Sequence, residues 1–175
     1  MSVDFRVPEL VTDRLRLRLP KPGDLEAHTR FQSSGRARFV GGPCDAAASF
    51  QHLAGIVGQW ALRGYGRWMV ADRETDAPLG VVGIYHPEDW PEPEIGWSLY
   101  AEAEGRGIAA EAAIASRDFA YRTLGWRRIV SLIAPGNVRS VRLAERLGCV
   151  FETSFDHPEF GALDIWVHPP PEASA

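Results

Sequence analysis

The segment Leu99-Tyr100-Ala101-Glu102-Ala103-Glu104-Gly105-Arg106-Gly107-Ile108-Ala109-Ala110 runs from a strand pattern through a glycine turn directly into a helix pattern. Such a turn can bind an anion without using side chains. Glycine lets a ligand approach the backbone closely, and the first N–H groups of a helix have no partner within the helix. Pointed at one place, they hold a phosphate or pyrophosphate. Leu99, Tyr100, Gly105, Arg106, Gly107, Ile108, Ala109 and Ala110 are therefore the candidate cofactor-binding stretch, with Arg106 able to add charge at the rim. A plain glycine turn before a helix has the same local sequence, so the rest of the chain must decide. Gly105, Gly107 and Ala110 also satisfy G-x-G-x-x-A, the dinucleotide fingerprint. That fingerprint requires an apolar strand running into the first glycine and an acid at the end of the next strand. Here Ala101-Glu102-Ala103-Glu104 precedes the glycine and the next strand ends Ile133-Ala134-Pro135, so the dinucleotide reading fails on both counts.

Other chemistries are excluded by composition. Of the 19 basic residues Lys21 is the only lysine; there is no G-K-[ST] phosphate loop, and Schiff-base chemistry would have to use that lysine inside Pro20-Lys21-Pro22. The arginine bias accompanies 22 alanines and reflects composition. A net charge of −4 gives a nucleic acid no attracting global field. Arg14, Arg16 and Arg18 alternate with Leu15, Leu17 and Leu19 and read as the wet face of a strand. Cys44 and Cys149 belong to no metal or disulfide pattern, and the five histidines have no metal spacing, so no metal is expected. No apolar stretch approaches the roughly 20 residues of a membrane span, and no signal-peptide pattern opens the chain. The expectation is a soluble, reduced, cytoplasmic protein with neither nucleic-acid nor membrane partners, monomeric or homodimeric.

The elements that must position the turn fit one domain over residues 1–168 of 175, followed by a frayed Pro-rich tail over 169–175. A strand over Leu15–Leu19 precedes a helix after Pro22. Asp45 can cap a second helix, on which Phe50, Leu53, Ala54, Val57, Trp60 and Ala61 recur at helical spacing up to a stop at Gly64. Arg67–Asp72 and Leu79–Tyr85 form a hairpin; His86–Pro93 is a loop, and a fourth strand covers Glu94 to about Tyr100. A helix over Ile108–Leu124, a strand over Arg128–Ile133, a short helix capped by Asn137 and stopped by Gly148, and strands over Val150–Phe155 and Leu163–Val167 complete the order β-α-α-β-β-β-α-β-α-β-β. This is a mixed α/β (α+β) layer fold.

Thirty residues after Gly107 lies Asn137-Val138-Arg139-Ser140-Val141-Arg142-Leu143-Ala144-Glu145-Arg146-Leu147-Gly148-Cys149. Together the two segments resemble the GNAT superfamily of acetyl-CoA-dependent N-acetyltransferases. The first is similar to [QR]-x-x-G-x-[GA], with Gly107 and Ala109 matching. The second is similar to N-x-x-S-x-x-x-x-x-x-x-G-F of the RimJ/RimL-like branch, which acetylates protein N-termini. Leu10-Val11-Thr12-Asp13-Arg14-Leu15-x-Leu17-Arg18 and Glu94-Ile95-Gly96-Trp97 extend the likeness from about Leu10 to Val167. The resemblance implies a single-domain, largely antiparallel sheet with helices on both faces, splayed between the fourth and fifth strands. Two positions depart from the pattern. Glu104 replaces the Gln or Arg expected near the phosphates, and Ala144 stands where many members carry a tyrosine as general acid; Cys149 for Phe reads as a core exchange.

What the resemblance implies about the site follows. Acetyl-CoA is the cosubstrate, and the acceptor is a primary amine on a small molecule or a protein N-terminus. Glu94 is the candidate base, although its place in the strand also suits a solvent-facing residue. A freed N–H near Leu99 would stabilise the oxyanion. Asn137 would bond the pantetheine arm besides capping its helix, and Ser140 would stand by the sulfur in place of the missing tyrosine, as catalytic and cofactor-binding residue. Trp90 and Trp97 are candidate substrate-binding residues, Trp90 because its loop adjoins the fourth strand. Glu88, Asp89, Glu92, Asp156 and Glu159 would suit a cationic amine. His86 and His157 read as exposed turn residues able to serve as other bases. The departures at Glu104 and Ala144 leave a second reading: an acetyl-CoA-binding sensor or scaffold without catalysis.

Overall fold

Eight strands and four α-helices make up the fold, and the computed structural model describes them over residues 6–170. Residues 171–175 of the expected tail lie outside the described residues. The strands are β1 (Leu10–Val11), β2 (Leu15–Arg18), β3 (Arg67–Asp72), β4 (Pro78–Tyr85), β5 (Glu94–Leu99), β6 (Val130–Ile133), β7 (Val150–His157) and β8 (Gly161–Val167). The helices are α1 (Leu25–Gln32), α2 (Ala46–Arg63), α3 (Ile108–Asp118) and α4 (Val138–Arg146). All strands join one sheet in the order β1-β2-β3-β4-β5-β6-β8-β7, antiparallel except where β5 meets β6. The two-residue β1 was not expected; it is too short to show alternation.

The splay implied by the resemblance is present. β4 and β5 are in register from Gly80↔Leu99 to Tyr85↔Glu94, whereas β5 and β6 share the pair Glu94↔Val130 and then part. Beyond that rung, side chains take over. The Ser131 hydroxyl donates to the Ile95 carbonyl (2.7 Å), and the Leu132 N–H donates to Glu94 Oε2 (2.8 Å). Buried backbone groups need partners, so a strand pair can separate inside a protein only where side chains or a ligand complete the ladder.

Asp45 caps α2 through the Ala48 N–H (2.8 Å), and Gly64 ends it as expected. Its buried face is Ser49, Leu53, Ile56 and Trp60, one position round from the expected stripe, and Phe50 is 52% exposed. The shift follows from Trp60, which packs edge-on against Trp68 of β3 at 4.8 Å and so sets the helix rotation. The helix expected over Ile108–Leu124 is α-helical only to Asp118 and then widens into a π turn over Phe119–Thr123. Three successive residues, Phe119, Ala120 and Tyr121, are buried there. An ordinary α-helix cannot bury three neighbours on one stripe; the wider turn does so and brings Phe119 against Trp68 at 5.3 Å. Arg18 is not on a wet face. It is 6% exposed and pairs with Asp24 (2.8 Å) and Asp76 (2.7 Å), because the chain preceding α1 folds over this end of β2.

Candidate active site

The glycine turn is fixed from outside by the N-terminal motif. Gly107 has φ +77°, a left-handed conformation that costs a side-chain-bearing residue about 1–2 kcal/mol, and directly opens α3. Glu111 in the first turn of α3 accepts from Thr12 Oγ1 (2.5 Å), the Arg14 N–H (3.2 Å) and Arg14 Nε (2.7 Å). Arg14 Nη1 also donates to the Arg106 carbonyl (2.9 Å). The Thr12-Asp13-Arg14 stretch thus clamps the turn so that the N-terminus of α3 faces an open groove of about 960 Å³. Leu99, Gly105, Gly107, Ile108, Ala109, Ala110, Asn137 and Ser140, all expected to hold the cofactor, line this groove.

Two expected members do not. The Tyr100 side chain is 3% exposed and turns into the core, where its hydroxyl meets His28 Nδ1 at 3.0 Å. The Arg106 guanidinium folds back on the Glu102 carbonyl (3.3 Å). Instead Arg36, Arg38, Arg139 and Arg146 line the groove, and sequence reasoning missed all four. Arg36 and Arg38 come from a short 3-10 helix after α1, Gly35–Phe39, capped by Ser34. Glu104 does not repel a phosphate from an otherwise neutral wall. It pairs with Arg36 (2.5 Å) and Arg139 (2.9 Å), bridging the segment after α1 to α4 across the groove. Four arginines against one carboxylate make the groove locally positive on a chain of net charge −4. A helix N-terminus, bare glycine backbone and surplus arginines fit the phosphates of acetyl-CoA.

A second cavity of about 350 Å³ adjoins the groove, and the two share Trp97, Ser98, Asn137 and Ser140. The Tyr100 N–H donates to the Leu79 carbonyl (2.9 Å), which makes Val81·Ser98 and Tyr85·Glu94 the hydrogen-bonded pairs of the ladder. Trp97 and Leu99 therefore turn their N–H and C=O groups toward the side that β6 has left. Glu94 is not solvent-facing: it is 7% exposed, with Trp90 Nε1 donating to Oε1 (3.0 Å) and the Leu132 N–H to Oε2 (2.8 Å). Burial pushes its carboxyl up to about 7, against the pull of those hydrogen bonds and of Arg67. Trp97 Nε1 donates to Ser140 Oγ (3.1 Å), leaving the serine hydroxyl proton to be given elsewhere. Asn137 Oδ1 accepts the Ser140 N–H at 3.4 Å and so caps α4.

Trp90 and Trp97 line this cavity; Trp60 and Trp68 are core, Trp126 packs on Tyr65 and Trp166 on Phe151. Of the five acids expected in loops, Asp89 and Glu159 reach the cavity, Glu88 pairs with Arg63 and Glu92 with Arg128, and Asp156 lies within β7, paired with Ala162. His157 is 4% exposed, its ring packed against Trp90 and Phe160 and its Nε2 meeting Asp89 at 3.1 Å. It is a loop anchor and not an exposed turn residue. His86 is half-buried and meets the Tyr65 hydroxyl at 3.1 Å. Ala144 is fully buried in the core, and Cys149 is core as expected, its thiol pushed up to about 11 by burial. His28, Gln32, His52, Arg67 and Tyr85 also line the cavity, contributed by α1, α2, β3 and β4. No motif marks them. Among the described residues no cluster of His, Cys, Asp or Glu could hold a metal ion, and no helix is long and apolar enough to cross a membrane.

These features agree with what the chain resembles. The Acetyltransferase (GNAT) domain model matches residues 14–150. The protein YkkB of Bacillus subtilis (strain 168) is 31% identical over 149 residues, covering 80% of this chain and 84% of that protein. The crystal structure of the acetyltransferase from Agrobacterium tumefaciens str. C58 superposes with a TM-score of 0.86 at 36% identity, over 97% of this chain and 98% of that one. RimL, a ribosomal L7/L12 alpha-N-protein acetyltransferase solved in complex with coenzyme A, superposes with a TM-score of 0.73 over 91% of this chain and 96% of that one. At 19% identity, that last likeness is one of fold. With the domain model spanning most of its length and relatives above 30% identity along most of the chain, this protein belongs to the GNAT acetyltransferase family and is an acetyl-CoA-dependent N-acetyltransferase.

Proposed function

We propose that the protein, as a member of the RimJ/RimL-like branch, moves the acetyl group of acetyl-CoA directly to a primary amine. The acceptor is a small molecule or a protein N-terminus, and no acetyl-enzyme forms. The observation that carries this reading is the junction of groove and cavity at the splay, where a buried carboxylate, free β5 backbone groups and a hydroxyl converge. Acetyl-CoA supplies the acetyl thioester, and the residues of the chain do the rest. Glu94, with its carboxyl near 7, takes a proton from the acceptor ammonium, directly or through one water. The outward N–H of Leu99 faces the place where negative charge develops; donors of this kind are worth about 2.7–4 kcal/mol when removed. Ser140 donates its hydroxyl proton in a hydrogen bond to the departing sulfur. Cys149, buried in the core with a raised thiol, is a poor candidate for a covalent carrier, which supports direct transfer.

The test is thiol release from acetyl-CoA with a panel of amines and peptides, read as initial rates. Release that depends on an acceptor, with intersecting double-reciprocal lines, supports direct transfer. Parallel lines would indicate a covalent intermediate. Tight CoA binding with no acceptor-dependent release across the panel would favour the sensor or scaffold reading.

A further inference from the structure

The acceptor cavity is charged at both ends, with opposite sign. Asp89, Glu94 and Glu159 form one end, and Arg67, His28 and His52 the other. Arg67 opens β3, and its guanidinium lies over the Tyr85 ring, Cζ 4.2 Å from the centroid. Tyr85 in turn stands opposite Glu94 in the ladder. The register also puts Arg67, Gly83 and Gly96 in one cross-strand row, so no side chain rises from β4 or β5 in that row. A Cβ built at Gly96 would meet only the Glu94 carboxylate, at 3.8 Å. Two strand spacings, about 10 Å, separate the backbones of β3 and β5. Arg67, tilted over Tyr85, lies near enough to Glu94 for its charge to pull that carboxyl's pKa down.

The basic end is unsatisfied. Arg67 Nε is buried with no hydrogen-bond partner, and the guanidinium forms no ion pair with a described carboxylate. Nearby, Gln32 Oε1 and His28 Nε2 are also buried without partners, on residues 5% and 3% exposed. Burial, helped by His52 and Arg67, lowers His28 to about 4 and keeps its ring neutral, with Nδ1 meeting the Tyr100 hydroxyl at 3.0 Å. Arginine stays charged in proteins, and a partly buried guanidinium with a buried, unpartnered Nε gains from an acceptor that completes it. Arg18, which is buried on the same sheet, has two carboxylate partners of its own. The acidic end already suits an ammonium, so the missing partner at Arg67 is an anion on the same molecule.

We propose that the Arg67 end of the cavity, flanked by His28 and His52, is an anion subsite, and that the acceptor is a small primary amine that also carries a carboxylate or phosphonate. This rests on the acceptor reading above. The bound molecule would lie across Tyr85 with its amine at Glu94 and its acid on the guanidinium. A peptide N-terminus with an acidic side chain at its first or second position presents the same chemistry.

The experiment compares matched acceptors by thiol release from acetyl-CoA. One set is free amino acids and aminoalkyl phosphonates, each beside its carboxamide or acid-free amine. The other is C-terminally amidated peptides with Asp or Glu, or Asn or Gln, at the first two positions. A charge-assisted hydrogen bond of the usual strength predicts that acid-bearing acceptors exceed their neutral partners about 10- to 100-fold in kcat/KM. The set showing that preference identifies the source of the acid. Arg67→Met should bring the ratio near unity, and Arg67→Lys should restore part of it; retained CoA affinity in both reports a folded chain. Neutral acceptors equal to their acidic partners, or a ratio that survives Arg67→Met, would overturn the subsite. If no acceptor is turned over at all, the transfer reading fails separately. The subsite is then tested by calorimetric titration of the same acids into the CoA complex. Binding lost in Arg67→Met supports it, and no binding to wild type overturns it.

Discussion

The groove and the acceptor cavity meet at Trp97, Ser98, Asn137 and Ser140, yet they are built in different ways. The groove presents a helix N-terminus and glycine backbone, with arginines spread around an open rim. The cavity is smaller, walled by side chains from several elements, and charged at both ends. A backbone site tolerates side-chain change and serves one constant ligand. A side-chain site can be retuned residue by residue, so it is where one fold can take different acceptors. The lone lysine is therefore no handicap to holding a polyphosphate, and the low net charge says little about the groove.

The comparison is broken most severely at Glu94, where cavity chemistry meets the splay. Glu94→Gln is expected to lower kcat/KM by about 10²–10⁴-fold while leaving the CoA dissociation constant unchanged. In the wild type, activity should rise with pH through about 7 as the carboxylate forms, and the variant should lose that rise. A pH–rate profile that survives the substitution would remove Glu94 as the base.

The same residue makes the cavity side pH-sensitive in folding. Its carboxyl titrates near 4.5 in the unfolded chain and about 7 in the folded one, so the native state binds the proton more tightly. The resulting stabilisation, about 3 kcal/mol, is fully present below 4.5 and is lost as pH rises through 7. Chemical denaturation between pH 4.5 and 8 should show this component, and Glu94→Gln should remove it. A slope unchanged in the variant would mean that other groups carry the linkage.

The smallest of these effects is expected on the groove side. Gly107→Val places a branched side chain at φ +77°, where a built Cβ meets only Arg14 Nη2 at 3.5 Å. Strain of about 1–2 kcal/mol, together with loss of close backbone approach, should weaken CoA by at least about tenfold. The acid preference at the cavity should persist, because Arg67 and Gly107 line different spaces. Titration calorimetry with CoA checks the first expectation, and tight binding retained in Gly107→Val would refute the phosphate-turn placement.

Much of the fold was legible because its signals are local. Asp45, Asn137 and Gly64 mark helix ends by the hydrogen bonds or dihedrals they favour, and the Arg67–Tyr85 hairpin shows as two apolar runs around a polar turn. The α2 stripe was misplaced because Phe50 and Ile56 are equally apolar, and only the Trp60–Trp68 contact chooses between their faces. Arg18 and His157 looked exposed because residue type predicts wetness only on average. Their burial depends on Asp24, Asp76, Asp89 and Trp90, which are distant in the chain or brought in by loops.

By itself the sequence determined that this chain builds a mixed sheet with a glycine turn opening a helix and an asparagine-capped helix after it. Each of these is written in consecutive residues, since a helix N-terminus binds anions by backbone geometry alone. Only the tertiary structure decided that Glu94 is buried with a raised pKa, that Glu104 bridges two arginines, and that Arg67 faces the acceptor cavity without a carboxylate. Charge and burial are set by what surrounds a side chain, and those surroundings come from strands and helices far apart in the chain.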